Sequence, residues 1–323
     1  MGTERRTMSN LVVRPLREQE IALALSVLRR AFGTFVGLPD PESFGAGADY
    51  VSSRWRADAT RVFAAEREGR LAGISVANHW GSLGFFGPLA VSPEFWGQGI
   101  AQVLTGAAMQ QFAAWGNRHL GLFTFPHSPQ HLHLYEKYGF YARFLTAVMA
   151  KAVAADGHGV AGWSRYSALA EAERAGALQV CREVAGDIYP GLDLTQEIEA
   201  VRVQGLGDTI LLVDEARQVG GFAVCHYGAG TEAARGECYV KFAAVRPGAA
   251  ADRQFILLLS SCEAFAAAAG LERMTAGVNL GCEAAYHRMR ESGFRTDILG
   301  VAMEQPNEPG YNRSDRYVIS DWR

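Results

Sequence analysis

Apolar positions at Ile100, Val103, Leu104, Ala107, Ala108, Phe112 and Trp115 follow the i, i+3, i+4, i+7 rhythm of a helix with one buried face. Upstream the rhythm shortens to alternation. Residues 61–68 and 70–80 alternate and meet at Glu68-Gly69, which predicts a hairpin. Residues 11–16 and 83–91 read as further strands, and 18–32 carries helix-spaced apolar residues. After the long helix come a strand at 119–125, a short helix at 128–138 and a strand at 142–153.

The same order returns later. A strand near 164–169, a helix at 170–186 and strands at 208–214, 217–227 and 237–246 precede a helix at 250–269. A strand at 272–278, a helix at 281–291 and a strand at 294–303 follow. At a constant offset of 154, Ala90, Val91, Pro93 and Leu104 meet Ala244, Val245, Pro247 and Leu258, and Gly139-Phe140 meets Gly293-Phe294. Upstream, Arg70, Gly73 and His79 stand opposite Arg217, Gly220 and His226. A shared register over that length reads as tandem duplication. The expected units are 9–154 and 163–323, joined by a small, glycine-containing linker at 155–162. Hairpins followed by β-α-β-α-β predict an α/β fold in which each unit has a mixed, partly parallel central sheet flanked by helices. The tail from 307 lacks periodicity and is expected along a domain surface.

A length of 323 residues suits two domains of about 150 each. The net charge of −3 comes without a basic stripe, which argues against nucleic acid as a partner. No apolar run reaches the length of a membrane span, and the first residues lack a secretory core, so no membrane association and a cytoplasmic location are expected. The five cysteines lie in the second half without C-x-x-C spacing and are expected as buried free thiols.

Chemistry concentrates where a strand ends at Leu89-Ala90-Val91 and a helix begins after Trp96-Gly97-Gln98-Gly99-Ile100-Ala101. Paired glycines let several backbone N–H groups face one point, and a helix start adds unpaired donors, so the turn can cradle a pyrophosphate without a basic side chain. Some 35 residues on stands Tyr135-Glu136-Lys137-Tyr138-Gly139-Phe140. This combination resembles the GNAT superfamily of N-acetyltransferases, whose signature is Q/R-x-x-G-x-G/A after the fourth strand and a tyrosine helix before Gly-Phe. Here Trp96 replaces the usual Gln or Arg. The resemblance covers nearly all of residues 10–153.

It implies acetyl-CoA as cosubstrate. Leu89, Ala90 and Val91 would line the pantetheine arm, and Trp96, Gly97, Gln98, Gly99, Ile100, Ala101 and Gln102 would wrap the pyrophosphate. Tyr135 would protonate the departing thiolate, and Ser128 stands where the family often has Asn. A proton acceptor is also needed. His79 is the first candidate, having a suitable ordinary pKa, with Glu66 and Glu68 behind it. His127, His131 and His133 include a four-residue spacing, but no carboxylate accompanies them, and surface histidines without metal are expected. Aromatics of 32–42, with Trp55, are candidates for an acceptor pocket.

The second copy reads as degenerate. Ala251, Asp252 and Arg253 stand opposite Gly97, Gln98 and Gly99, and Met289 stands opposite Tyr135. The expected activity is direct transfer of an acetyl group to a primary amine of a small molecule or peptide, by a monomer or homodimer. The alternative is a non-catalytic acyl-CoA sensor or scaffold.

Overall fold

The computed structural model describes residues 11–45, 47–154, 162–213 and 219–323; all but the last residue of the expected linker lies outside these. The first half forms β1 (Leu11–Pro15), α1 (Ile21–Val36), α2 (Ser52–Ala57), β2 (Val62–Arg67), β3 (Arg70–Trp80) and β4 (Leu83–Val91). It continues with α3 (Ile100–Trp115), β5 (His119–Thr124), α4 (Pro129–Glu136) and β6 (Tyr141–Ala152). The second half forms β7 (Trp163–Arg165), α5 (Glu171–Ile188), α6 (Thr195–Gln204), β8 (Gly207–Val213), β9 (Val219–His226) and β10 (Glu237–Val245). There follow α7 (Ala251–Ala268), β11 (Arg273–Asn279), α8 (Glu283–Glu291), β12 (Arg295–Gln305) and β13 (Val318–Ile319). Shifting β4 by 154 residues gives the bounds of β10. The helices α2 and α6 escaped the periodicity reading. The first has six residues and buries Ser52, Ser53 and Arg54, and the second buries Glu197 beside Ile198 and Val201, so neither shows a clean apolar stripe.

Each half has the mixed sheet its pattern predicts. Among the described strands only β4–β5 and β10–β11 pair in parallel. The two sheets are nevertheless one, in the order β1-β2-β3-β4-β5-β12-β6-β11-β10-β9-β8-β7. The last long strand of each half has crossed over: β12 pairs with β5, and β6 pairs with β11. The crossing is symmetric. Moving the pair Thr124–Val301 by 154 positions each gives Val278–Ala147, and both pairs are present. Thr146 and Gly300, themselves 154 apart, face each other in β6–β12, so a local twofold passes between them.

The exchange carries side chains across. Met303 of β12 is buried with Phe86, Phe112, Leu122, Tyr135 and Phe140 in the first half's core. Its counterpart Met149 of β6 is buried in the second half's core with Leu83, Phe242 and Met274. Burial of such a side chain stabilises by about 1.5–3 kcal/mol. A fully buried His119–Glu304 pair at 2.8 Å ties β5 to β12 as well.

The tail corrects the sequence reading. Tyr311, Val318, Ile319 and Trp322 are buried, and β13 pairs antiparallel with β10. The indole of Trp322 lies over Gly121, where an added Cβ would come within 2.7 Å of the ring. Rather than lining a surface, the segment threads between the halves, because its scattered apolar residues find partners on both.

The shared core predicts joint unfolding. Met303→Ala should cost about 2–5 kcal/mol, and urea denaturation of this variant and the parent should each give one transition, coincident by tryptophan fluorescence and far-UV circular dichroism. Two separated transitions would show halves that unfold independently.

Candidate functional site

β4 and β5 are paired only from Leu83–His119 to Phe86–Leu122, although β4 runs on to Val91 and β5 to Thr124. Beyond that point β4 keeps its partner β3 on one edge, with Ser75, Ile74 and Gly73 opposite Leu89, Ala90 and Val91. On the other edge a groove opens, lined by main chain that no strand pairs. Unpaired backbone N–H and C=O groups at such a place call for an extended polar partner.

The groove leads to the glycine turn. Gly97 and Gly99 have φ of +72° and +78°, a conformation costing an ordinary L residue about 1–2 kcal/mol. Nothing stands within 4 Å of a Cβ added at either, so backbone conformation alone demands glycine. Gly99 precedes the 16-residue α3 without supplying a side-chain cap. The first-turn amides therefore point outward unpaired, at the positive end of the helix dipole. The Trp96 indole donates to the Val91 carbonyl at 2.7 Å and is 45% exposed. It thus fastens the turn to the strand end, a job a Gln or Arg there does not do in this way. Gln98 bonds back to the Glu94 carbonyl at 3.3 Å.

Tyr135 lies on α4 against the strand end, with its ring 5.4 Å from Phe86 and 6.5 Å from Phe140. Burial alone raises its phenol pKa, which keeps the hydroxyl protonated at neutral pH. Ser128 caps α4, its hydroxyl accepting from the His131 amide at 3.4 Å. Tyr138 donates to the Gln102 carbonyl at 2.6 Å, tying α4 to the start of α3. Leu89–Val91 and the turn 96–102 thus border one groove, and Tyr135 packs on Phe86, where β4 leaves β5.

His79 is not brought there. Its ring sits 5.2 Å from Trp115 and its Nδ1 lies 3.0 Å from the Asn117 amide. Phe112 and Phe86 complete a chain of rings between Trp115 and Tyr135, so three aromatic side chains separate the two proposed catalytic groups. Glu66 pairs with Arg14 at 2.7 Å and Glu68 occupies the exposed hairpin turn with φ +53°; both lie toward the β1 edge.

His127 and His133 are exposed, as expected, and only His131 departs from the surface set. His131 is half-buried, 4.8 Å from Phe35 and 6.3 Å from Phe125, and His127 stacks on Phe35 at 5.9 Å. Phe32 and Phe44 extend this aromatic group. Among the described residues no group of three potential ligands could hold a metal. Trp55 stands apart, donating to the Leu16 carbonyl at 2.8 Å. All five cysteines are buried and free.

Sequence reasoning missed a buried ionic cluster at the seam. Arg54 of α2 holds Glu232 at 2.8 Å, donates to the Gly87 carbonyl, and reaches the Arg323 carbonyl at 2.6 Å. Lys241 bridges Glu232 at 2.7 Å and Glu197 at 2.8 Å. Burial opposes ionisation of Glu232, yet Arg54 and Lys241 hold it down to about 2. The cavity these groups line is about 10 Å³, the size of one water and too small for an acceptor. No local pattern announces such a cluster, since Arg54 and Glu232 lie 178 positions apart.

In the second half α7 begins at Ala251, the counterpart of Gly97, three residues earlier than α3 begins. Without glycines at 251 and 253 the chain enters the helix at once, and the cradle is absorbed into its first turn. Asp252 is held by Arg288 at 2.7 and 2.8 Å. Met289 is fully buried where Tyr135 stands in the first half.

Residues 30–140 match the family model described as "Acetyltransferase (GNAT) family". The fold resembles a Pyrococcus horikoshii protein assigned to the acetyltransferases, with a TM-score of 0.68 at 14% identity, covering 100% of this chain and 98% of that one. It also resembles a GCN5-related N-acetyltransferase from Sphaerobacter thermophilus, with a TM-score of 0.61 at 15% identity over 92% and 96% of the two chains. A GCN5-related glucosamine N-acetyltransferase region in a fungal multi-domain beta-N-acetylglucosaminidase gives 0.64 at 11% identity, over 92% of this chain and 38% of that one. No curated protein matches the sequence. Among the described residues no helix is long and apolar enough to cross a membrane.

The half-buried His131 makes a pH prediction. Burial, with His127 second, lowers its pKa, so it is neutral in the folded chain while the unfolded chain takes up a proton near pH 6.5. Stability should therefore fall as pH drops below about 6.5, until the folded-state pKa is reached. His131→Leu should flatten that decline in urea midpoints measured from pH 7 to pH 5; an unchanged slope would refute it.

Proposed function

From the match of residues 30–140 to the acetyltransferase (GNAT) family model, we propose that the first half transfers an acetyl group from acetyl-CoA to a primary amine. The amine belongs to a small molecule or a peptide. In this reading the sequence units are 9–154 and 163–323, the second having lost its cofactor site, and the protein acts in the cytoplasm as a monomer or homodimer. The observation that carries the proposal is the groove itself: a β4 edge at Leu89–Val91 that no strand pairs on the β5 side, leading into a turn held open by Gly97 and Gly99 beside bare helix amides.

The residues divide the work. The β4 edge offers main-chain partners to the amides of the pantetheine arm, as a neighbouring strand would. The amides of 97–102 face the pyrophosphate, with Trp96 fixing the turn and Ser128 the start of α4. Tyr135 presents its proton at the inner end of the groove. An amine lone pair adds to the thioester carbonyl carbon, the carbon–sulfur bond breaks, and Tyr135 gives the leaving sulfur its proton. The proton lost by the amine nitrogen restores the tyrosine through solvent, so no net proton is consumed. We assign the first acceptance of that proton to water at the groove mouth rather than to His79, because Phe86, Phe112 and Trp115 stand between His79 and Tyr135. Phe35, Phe125 and His127, beside the β5 end, offer a wall for the acceptor.

Titration calorimetry tests the binding: acetyl-CoA should occupy one site per chain, and Gly99→Asp, which strains the turn and places an anion at the cradle, should abolish it. Tyr135→Phe should leave binding intact and lower kcat by about 10²–10⁴. Unchanged turnover would remove the general-acid role, and binding without turnover on any amine would favour the sensor reading.

A further inference from the structure

The second half has its own groove. β10 and β11 pair in parallel from Glu237–Arg273 to Val240–Ala276 and then part, at positions that are the counterparts of Phe86 and Leu122. Yet this opening is filled. Val318 and Ile319 of β13 pair antiparallel with Ala244 and Ala243, the counterparts of Ala90 and Leu89, and both are almost wholly buried.

The rest of the tail follows the same track. Tyr317 stands at the N-terminus of α7, where its hydroxyl donates to Asp252 at 2.7 Å and its ring lies 5.3 Å from Phe255. Further along, Asp321 lies against Gly277, where an added Cβ would come within 2.1 Å of the Asp321 Cβ. The counterpart of Gly277 is Phe123, so the second half carries a glycine where the tail must pass. The segment therefore runs from the helix start along the parted strand toward the inner end of the groove. That is the course assigned above to acyl-CoA in the first half.

We propose that the groove between β10 and β11 is a strand-binding site, occupied by residues 317–319 of the same chain, and that this occupancy by itself excludes acyl-CoA from the second half. The proposal rests on the acyl-CoA reading of the first half. It treats the lost glycines and the inserted strand as two separate blocks. The strand satisfies the backbone edge that a pantetheine arm would otherwise meet.

Acetyl-CoA stoichiometry, measured by calorimetry on full-length chains, separates the two blocks. Restoring the turn with Ala251→Gly, Asp252→Asn and Arg253→Gly keeps an acceptor for Tyr317, and one site per chain is expected. Ile319→Asp alone, which places a carboxylate in a buried position and expels the strand, should also leave one site. Combining the two should give two sites. Two sites from the restored turn alone would overturn the proposal, as would a single site in the combined variant. No site in the parent chain would instead sink the acyl-CoA reading. Binding at the first site reports that each variant is folded; should Ile319→Asp lose it, the milder pair Val318→Ser with Ile319→Ser takes its place. In the parent, hydrogen exchange should find the Ile319 amide, opposite Ala243, protected; rapid exchange there would overturn the occupancy directly.

Discussion

The pairing of β6 with β12 across the local twofold is the contact on which the remaining structure depends. At its centre Thr146 faces Gly300, and the two positions have diverged in a way that packing requires. A Cβ on Gly300 would come within 2.1 Å of the Phe123 ring, so a ring from the first half covers the backbone of the second. Thr146 instead accepts from the Asn279 side chain at 3.1 Å. Because each strand then continues into the other half's sheet, neither core is complete with its own residues. Met303 and Met149 make this concrete, each filling a core built mainly by the opposite half.

That dependence gives the second half a structural role that needs no site of its own. Its helix α7 begins at Ala251, Met289 stands opposite Tyr135, and its groove between β10 and β11 holds β13, yet it supplies β12 to the first half. It also supplies Glu232, which neutralises Arg54 beside the carbonyl of Gly87, where β4 leaves β5. A buried pair of this kind contributes through completeness more than through attraction, since removing one partner leaves an uncompensated charge and typically costs 3–5 kcal/mol. Gly87 itself has the counterpart Lys241, so a position that is bare main chain in one half carries a buried cation in the other.

The same backbone vacancy is open in the first half and filled by β13 in the second. Two parallel strands that part leave a row of amides and carbonyls that has to be satisfied. A cosubstrate arm and a peptide strand are both extended and both offer amides, so either can complete the edge. The helix starts differ as well: glycines at positive φ keep one turn open, and a Tyr317–Asp252–Arg288 contact closes the other.

What the sequence determined by itself is what local chemistry encodes. Helix-spaced apolar residues placed α3 and α7, alternation placed β2, β3 and β4, and Gly97 and Gly99 marked a turn whose backbone only glycine adopts easily. The 154-residue register made the second copy, and its lost glycines and tyrosine, legible without coordinates. What only the tertiary structure decided are the relations between distant positions. A strand's pattern states which face is buried but not which strand lies beside it, so β6 and β12 read alike whether paired at home or exchanged. The rings between His79 and Tyr135, the Arg54–Glu232 pair, and the course of Val318 and Ile319 through the second groove all join residues far apart in the chain. Their contacts follow from packing, which periodicity along a single chain does not carry.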